Sequence, residues 1–268
     1  MRRSPAYTIL AFLFLLPVSL LAQQTPQTAK APVRDQQAIA VLQQSFAAMG
    51  RTLPADSLAT GTVTIVEGSN THEGTIRITT RGHDQSLEDI TTSTDHRIVV
   101  YSRLSATETK GGKTVAASFE LSASSQSPDF PLPFIAWALT SPDAGAVYVG
   151  LEELNGEQLH HIRIYNAFAS IPALQSASEF TIRDVWIDAN RFHPRKIAYQ
   201  RRRAGGAVPR IPVEVFFADY RNVGGVLYPF QIQKNLNGTP WTTITISAVQ
   251  FNTGLSDTDF PVSVGGAK

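Results

Sequence analysis

Six histidines, a run of three arginines and a few close carboxylate pairs are the residues of this chain that could carry chemistry. His72, His83 and His96 each stand beside an acid, as Thr71-His72-Glu73, His83-Asp84 and Asp95-His96, which are the residue types of a metal site. The surrounding alternation places His72 and His96 at one end of a meander with a strand between them, and His83 at the opposite turn. Two strand spacings are about 10 Å, whereas ligands of one zinc each approach it to about 2 Å. The three therefore cannot share an ion, and solvated turn histidines are expected. His160 and His161 are adjacent on a strand and face opposite ways, and His193 belongs to a turn. Ser256, in Gly254-Leu255-Ser256-Asp257, lacks the second glycine and the following helix of a nucleophile elbow. The pairs Gly111-Gly112, Gly205-Gly206 and Gly224-Gly225 fit neither phosphate-binding loop and read as hairpin turns. Glu152-Glu153 and Asp257 with Asp259 read as surface carboxylates. No catalytic residue, metal or cofactor is expected.

Composition narrows the classes further. The chain has 268 residues, no cysteine, 43% hydrophobic and 17% charged residues, and a formal net charge of +1. Disulfide frameworks, thiolate metal sites and cysteine nucleophiles are excluded together. Near-neutral charge gives no footing for nucleic acid. The conspicuous cluster is Arg201-Arg202-Arg203, with Arg195, Lys196 and Arg210 nearby. It reads as a guarded hairpin tip or as a contact for anionic lipid headgroups or a partner protein.

The chain opens with Met1-Arg2-Arg3, an apolar run over residues 6–16, Pro17, and Leu20-Leu21-Ala22 before polar sequence. This order is that of a signal peptide over residues 1–22, and the run falls short of the roughly 20 residues of a membrane span. Export to the periplasm is expected, with an uncleaved N-terminal anchor as the alternative. Residues 23–34 read as a disordered leader, residues 35–263 as one domain and residues 264–268 as a flexible tail.

Asp35 opens an amphipathic helix with Ile39, Leu42, Phe46 and Met49 on one side, and Gly50 is its natural stop. After Pro54 the period falls to two. Strands are expected around Val63 and Ile65, around Ile76 and Ile78, over residues 97–103 and 114–121, and, in the second half, over 147–154, 157–165, 180–188, 196–202, 212–219, 228–236 and 241–251. Asn155-Gly156 and Asn237-Gly238 are strong hairpin signals. The total is about ten or eleven antiparallel strands. A compact apolar block over residues 129–139 predicts a short central helix, read either as a lid over a cavity or as a core helix.

The apolar alternation sets the candidate site. Val63, Ile65, Ile76, Ile78, Ile162, Ile164, Val185, Ile187, Val213, Val215, Phe217, Ile244 and Ile246 fall on one face, and Phe134 and Trp137 lie on the central helix that covers it. A curved half-barrel whose two small helices do not fill it holds an apolar cavity lined by these residues; a filled core is the alternative.

An exported chain without a lipobox, with an N-terminal helix, about eleven antiparallel strands and a short apolar helix midway, resembles the LolA/LolB-like superfamily of outer-membrane lipoprotein-sorting and carrier proteins. The resemblance is carried by Val185-Trp186-Ile187-Asp188 before Phe192-His193-Pro194-Arg195-Lys196-Ile197, by residues 219–230, and by residues 244–252 with the closing Asp259-Phe260-Pro261. It implies a mainly β fold, a curved half-barrel with helices over the concave face, and a lipid or lipoprotein acyl chain as ligand. The expectation is thus a monomeric, non-enzymatic periplasmic carrier; the alternative is an envelope interaction or sensor module with a filled core.

Overall fold

The computed structural model describes residues 31–125, 129–202 and 210–262. The expected signal peptide, most of the leader, Arg203, the Gly205-Gly206 turn and the tail at 264–268 lie outside the described residues.

Asp35 starts helix α1 (Gln36–Ala48) by accepting the Gln37 amide on its carboxylate at 2.8 Å, which satisfies one of the donors a helix start leaves open. Ala38, Val41, Leu42 and Ser45 form its buried face. The helix stops at Gly50, whose φ is 121° and whose missing Cβ would lie 2.2 Å from the Gly225 carbonyl oxygen. Only glycine lets the helix end abut that hairpin, and the Met49 carbonyl accepts the Leu227 amide there at 3.0 Å.

Thirteen antiparallel strands follow: β1 (Asp56–Glu67), β2 (Asn70–Arg81), β3 (Gln85–Thr92), β4 (His96–Ser102), β5 (Ser105–Lys110), β6 (Lys113–Ala116), β7 (Ala144–Leu154), β8 (Glu157–Asn166), β9 (Arg183–Asp188), β10 (Pro194–Arg201), β11 (Ile211–Val223), β12 (Val226–Leu236) and β13 (Thr239–Phe251). Among the described residues these thirteen make one sheet in the order β6-β5-β4-β3-β2-β1-β13-β12-β11-β10-β9-β8-β7, unclosed at β6 and β7. The count exceeds ten or eleven because β3 and β5 carry little apolar alternation. Asn155-Gly156 and Asn237-Gly238 turn their hairpins with positive φ at both residues, matching the twist of the flanking strands.

Register carries the apolar stripe across the sheet. Ile162 faces Val185, Val185 faces Ile197, and Ile197 faces Val215. In a parallel row Phe217 faces Ile232, Ile232 faces Ile244, and Ile244 faces Val63. The stripe is covered by α1 and by α3 (Pro131–Thr140), whose Leu132, Ile135 and Ala138 join the same core. Pro131 suits the first turn of α3 because its missing amide hydrogen would have had no partner there. On the outer face Asp56 accepts hydrogen bonds from the Thr253, Gly254 and Leu255 amides at 2.6–3.1 Å, so the closing segment lies against the sheet and Phe260 is buried.

Two expected strands are corrected. In place of one strand over 114–121, β6 ends at Ala116 and the chain enters α2 (Phe119–Ser125), where the Ser118 hydroxyl accepts the Leu121 amide. The strand expected from 180 begins at Arg183, because a 3-10 helix (Pro172–Thr181) runs up to it and is closed by the Thr181 hydroxyl donating to the Ser178 carbonyl at 2.8 Å. No helix among the described residues is long and apolar enough to cross a membrane.

Candidate binding site

The thirteen strand residues read as a cavity wall are packed together in the core with α1 and α3: Val63, Ile65, Ile76 and Ile78 from β1 and β2, Ile162 and Ile164 from β8, Val185 and Ile187 from β9, Val213, Val215 and Phe217 from β11, and Ile244 and Ile246 from β13. None is more than 7% exposed. Ile65, Ile76 and Val213 also border surface pockets. Phe134 and Trp137 are different, being only partly buried. They project from α3 into a pocket of about 290 Å³.

This pocket is assembled at one end of the half-barrel from elements far apart in sequence. The β2–β3 turn contributes His83, the β4–β5 turn Leu104, α2 Ala123, and the chain around the 3-10 helix Phe168, Ile171 and Thr181. His83 is not the solvated turn residue its position suggested. Its ring stacks on Trp137 at 4.7 Å between centroids, nearly parallel, and Trp137 stacks in turn on Phe134 at 5.7 Å. Burial holds the imidazole below its ordinary pKa, with the Asp84 carboxylate opposing. Ile171, 48% exposed, stands at the mouth. Phe168, φ 49°, is held in place by the Asn166 side chain, which accepts its amide at 2.9 Å.

Four charged residues also line this site, Asp84, Arg103, Asp143 and Arg183. Asp143 accepts the Ser170 amide at 2.7 Å and also the Ser170 hydroxyl, which ties the mouth segment to the start of β7. Arg183 is buried, with its guanidinium donating to the Phe180, Ile182 and Ala123 carbonyls at 3.0–3.3 Å and lying 4.5 Å from the Tyr199 ring centroid. Burial brings this guanidinium down to about 10. The lining is thus mixed: Leu104, Ala123, Phe134, Trp137, Phe168 and Ile171 supply most of its exposed surface, and His83, Asp84, Arg103, Asp143, Asn166, Thr181 and Arg183 border them, an arrangement that suits the apolar end of a ligand with a polar group beside it.

Sequence reasoning missed an ionic cluster on the concave wall. Lys234 of β12 is 2.8 Å from Asp129 and 2.9 Å from Glu88 of β3, and the three side chains are 5%, 1% and 15% exposed. The signal was present in parity: Lys234 follows Ile232 by two residues and Glu88 precedes Ile90 by two, so both sit on the inward face.

The basic cluster does not form one patch. Arg201 follows Tyr199 on the inward face of β10 and borders a half-open pocket, whereas Arg202 lies over Phe180 and pairs with Glu179 at 2.9 Å. Arg210 reaches the same carboxylate at 3.7 Å, Arg195 pairs with Glu157 at 2.8 Å, and Lys196 with Glu214 at 3.3 Å. Arg203 lies outside the described residues.

The other histidines and carboxylates are separately engaged. His72 contacts Thr94 at 3.2 Å and His96 contacts Asp89 at 2.8 Å. His160 meets Tyr148 at 3.0 Å. His161, on the outer face, lies between Glu152 at 2.6 Å and Asp184 at 3.0 Å. Glu152 is at the surface as expected, yet it also accepts the Trp186 indole at 2.7 Å. Lys196 sits 3.8 Å from the Trp186 ring centroid, and Asp188 accepts the Asn190 and Arg191 amides of the intervening turn. The Trp-x-Asp and Pro-x-Lys pattern thus has a local cause: it stacks and caps one hairpin.

No family model matches this sequence, and no curated protein matches it. Among solved structures, the chain is similar to a LolA superfamily protein from Nitrosomonas europaea, at 12% identity over 84% of this chain and 97% of that one, with a TM-score of 0.54. A domain assigned to outer membrane lipoprotein sorting from Vibrio parahaemolyticus matches at 14% identity over 84% and 96%, TM-score 0.54. A DUF1329 family protein from Desulfovibrio piger matches at 13% identity over 84% and 97%, TM-score 0.52. At such identities the likeness establishes the fold, which is LolA-like.

Proposed function

We propose that this LolA-like half-barrel is an exported binding protein that shelters the apolar part of a lipid or lipoprotein acyl chain during transit through the periplasm. The observation that carries the reading is the aromatic pocket beside α3, where Phe134, Trp137, Phe168 and Ile171 present an apolar lining to a volume of about 290 Å³. That is near the lower end of the roughly 300–1,000 Å³ of ligand pockets. It accepts one end of an acyl chain, and a longer ligand requires α3 or the 3-10 helix to move outward. Burying apolar surface at about 25 cal/mol per Å² supplies the affinity, and no catalytic side chain is needed.

A second reading, an envelope interaction module without a lipid ligand, is favoured by the tight packing of the thirteen strand residues. One experiment separates the two. Native mass spectrometry of the purified protein, followed by titration of the delipidated protein with a fluorescent fatty acid, gives a co-purifying lipid mass and saturable uptake for the carrier. Trp137→Ala then weakens uptake by about tenfold, the worth of roughly 1.4 kcal/mol of lost contact. A clean apo mass together with no uptake overturns the carrier reading.

A further inference from the structure

The half-barrel has a second, half-open pocket, of about 170 Å³, bordered by inward residues of strands from both halves of the sheet: Glu88, Arg97 and Tyr101 on one side, Tyr199, Arg201 and Lys234 on the other. The two halves approach closely enough that the Tyr101 hydroxyl has Tyr199, Arg201, Glu88 and Lys234 as electrostatic neighbours. Val99, Leu121 and Val213 supply an apolar floor.

The cations here are not equivalent. Lys234 is committed to Glu88 and Asp129. Arg97 and Arg201 have no ion-pair partner among the described residues, and Arg97 instead lies 5.6 Å from the Trp241 ring centroid. The Tyr101 hydroxyl has no hydrogen-bond partner among the described residues either. Two lining carboxylates face the two guanidiniums: Glu88, which is hydrogen-bonded to Lys234 and also feels the Arg97 charge, and Glu108, which has no ion-pair partner among the described residues, so neither arginine is held in a close ion pair. A guanidinium in a half-enclosed site is matched by an oxyanion, which its planar array of donors binds with charge-assisted hydrogen bonds.

We propose that this pocket is a second binding site that takes a small amphipathic anion, its carboxylate or phosphate held by Arg97 and Arg201 and its short apolar stem lying against Val99, Leu121 and Val213. The site is independent of the acyl-chain reading. Arg183, which borders the pocket beside α3, stacks on Tyr199, which borders this one, and the pair stands between the two volumes.

The chain's three tryptophans make the test direct, since Trp241 borders this pocket, Trp137 the other, and Trp186 lies on the outer face. In the full chain carrying Trp137→Phe and Trp186→Phe, hexanoate and hexyl phosphate are titrated while Trp241 emission is read, with hexan-1-ol as the neutral probe. The expected result is saturable binding of at least one anion, with hexan-1-ol at least about tenfold weaker, and a loss of about tenfold in Arg97→Gln and again in Arg201→Gln, as expected for a hydrogen bond to a charged group. The tighter anion identifies carboxylate or phosphate as the head. With Arg97→Gln and Arg201→Gln each made in the otherwise unmodified chain, which keeps Trp137, uptake of a fluorescent fatty acid at the pocket beside α3 is unchanged. The indole resonance of Trp241 in the unmodified protein gives the same titration, so a variant that fails to fold does not leave the matter open. No saturable response to either anion, equal binding of hexan-1-ol, or unaltered affinity in both arginine variants overturns the site.

Discussion

Lys234 Nζ lies 2.9 Å from Glu88 Oε1 although β2, β1 and β13 separate their strands in the sheet, a path of four strand spacings or about 19 Å. The contact measures the curvature: only a sheet bent well toward closure lets these side chains meet across its hollow. Asp129, just before α3, adds its carboxylate to Lys234 at 2.8 Å, but with poor alignment, so its oxygens receive no well-formed hydrogen bond.

Removing one member of such a cluster leaves an uncompensated buried charge. Lys234→Met is expected to cost about 3–5 kcal/mol, and adding Glu88→Gln and Asp129→Asn to recover much of the loss, because matched removal of buried charges is often nearly neutral. Urea unfolding of the single and triple variants measures this. A triple variant no more stable than Lys234→Met would mean that the cluster does not act through its charges.

The cluster also gives stability a pH dependence. Burial pushes Asp129 up to about 7, with Lys234 pulling it down and Glu88 reinforcing the rise. Glu88 is held below its ordinary range, where burial opposes and the Lys234 charge prevails. A carboxyl of ordinary pKa 3.8 raised to about 7 keeps its proton longer in the folded state, so its contribution falls as pH rises from about 4 to about 7 and is level above. The melting temperature is therefore expected to decline from pH 5 to pH 8 more steeply in the wild type than in Asp129→Asn, which removes this titration while histidines and Glu88 remain in both. Parallel curves would exclude Asp129 as the cause.

Much of this architecture is readable from residue type and spacing. Gly50 ends α1 where the amphipathic period ends, the two Asn-Gly pairs turn hairpins, and the alternation from Ile162 to Ile246 predicts which side chains face inward. What spacing does not carry is the distance across a curved sheet. Parity puts Lys234 and Glu88 on the concave face, but only curvature makes them partners. The same holds for the pocket: Phe134 and Trp137 are legible as apolar helix residues, whereas His83, Phe168 and Ile171 reach them from turns and a 3-10 helix whose local bonds, such as Asn166 to the Phe168 amide, leave no periodic trace. A stripe of branched residues likewise reads the same whether its face is hollow or packed.

Arg34 should govern how firmly α3 is seated. Its guanidinium donates to the Ala138, Ser141 and Ala144 carbonyls at 3.0–3.2 Å and to the Leu139 carbonyl at 2.8 Å, closing carbonyls that the helix end leaves open and placing a cation at the negative end of its dipole. Arg34→Ala is expected to cost about 1–2 kcal/mol. Hydrogen exchange of the α3 amides should speed up while that of β11–β13 amides holds. Arg34→Lys should recover little, since an ammonium lacks the planar fork that spans several carbonyls. Unchanged α3 protection in Arg34→Ala would remove the seating role.

Asp56 should do the same for the closing segment. Burial raises its pKa, but the hydrogen bonds from Thr253, Leu255 and Gly254 outweigh this and hold it below the ordinary value of 3.8. A lowered carboxyl stabilises above its unfolded pKa and loses that contribution as pH falls through its folded one. Asp56→Ala is expected to lower stability at pH 7 by about 2–3 kcal/mol, as for loss of a charged acceptor of several amides, and to expose residues 252–262 to protease. Resistance equal to the wild type would show that Phe260 and the Asp257 contacts to Arg81 and Gln85 hold the segment without Asp56.

Two isoleucines discriminate between a hollow wall and a local pocket. Ile164 is fully buried in β8 among core residues, so Ile164→Glu places an unpaired charge in packed surroundings and should abolish folding outright. Ile171 is 48% exposed at the mouth beside Phe134 and Trp137, so Ile171→Glu can keep its carboxylate in water, and the protein should fold with less than about 0.5 kcal/mol lost while uptake of a fluorescent fatty acid drops. Circular dichroism with the uptake assay on both variants decides the matter. If Ile164→Glu folds and only loses uptake, the central wall is open to ligand and the pocket beside α3 is merely its vestibule; if Ile171→Glu binds as the wild type does, the acyl chain enters elsewhere.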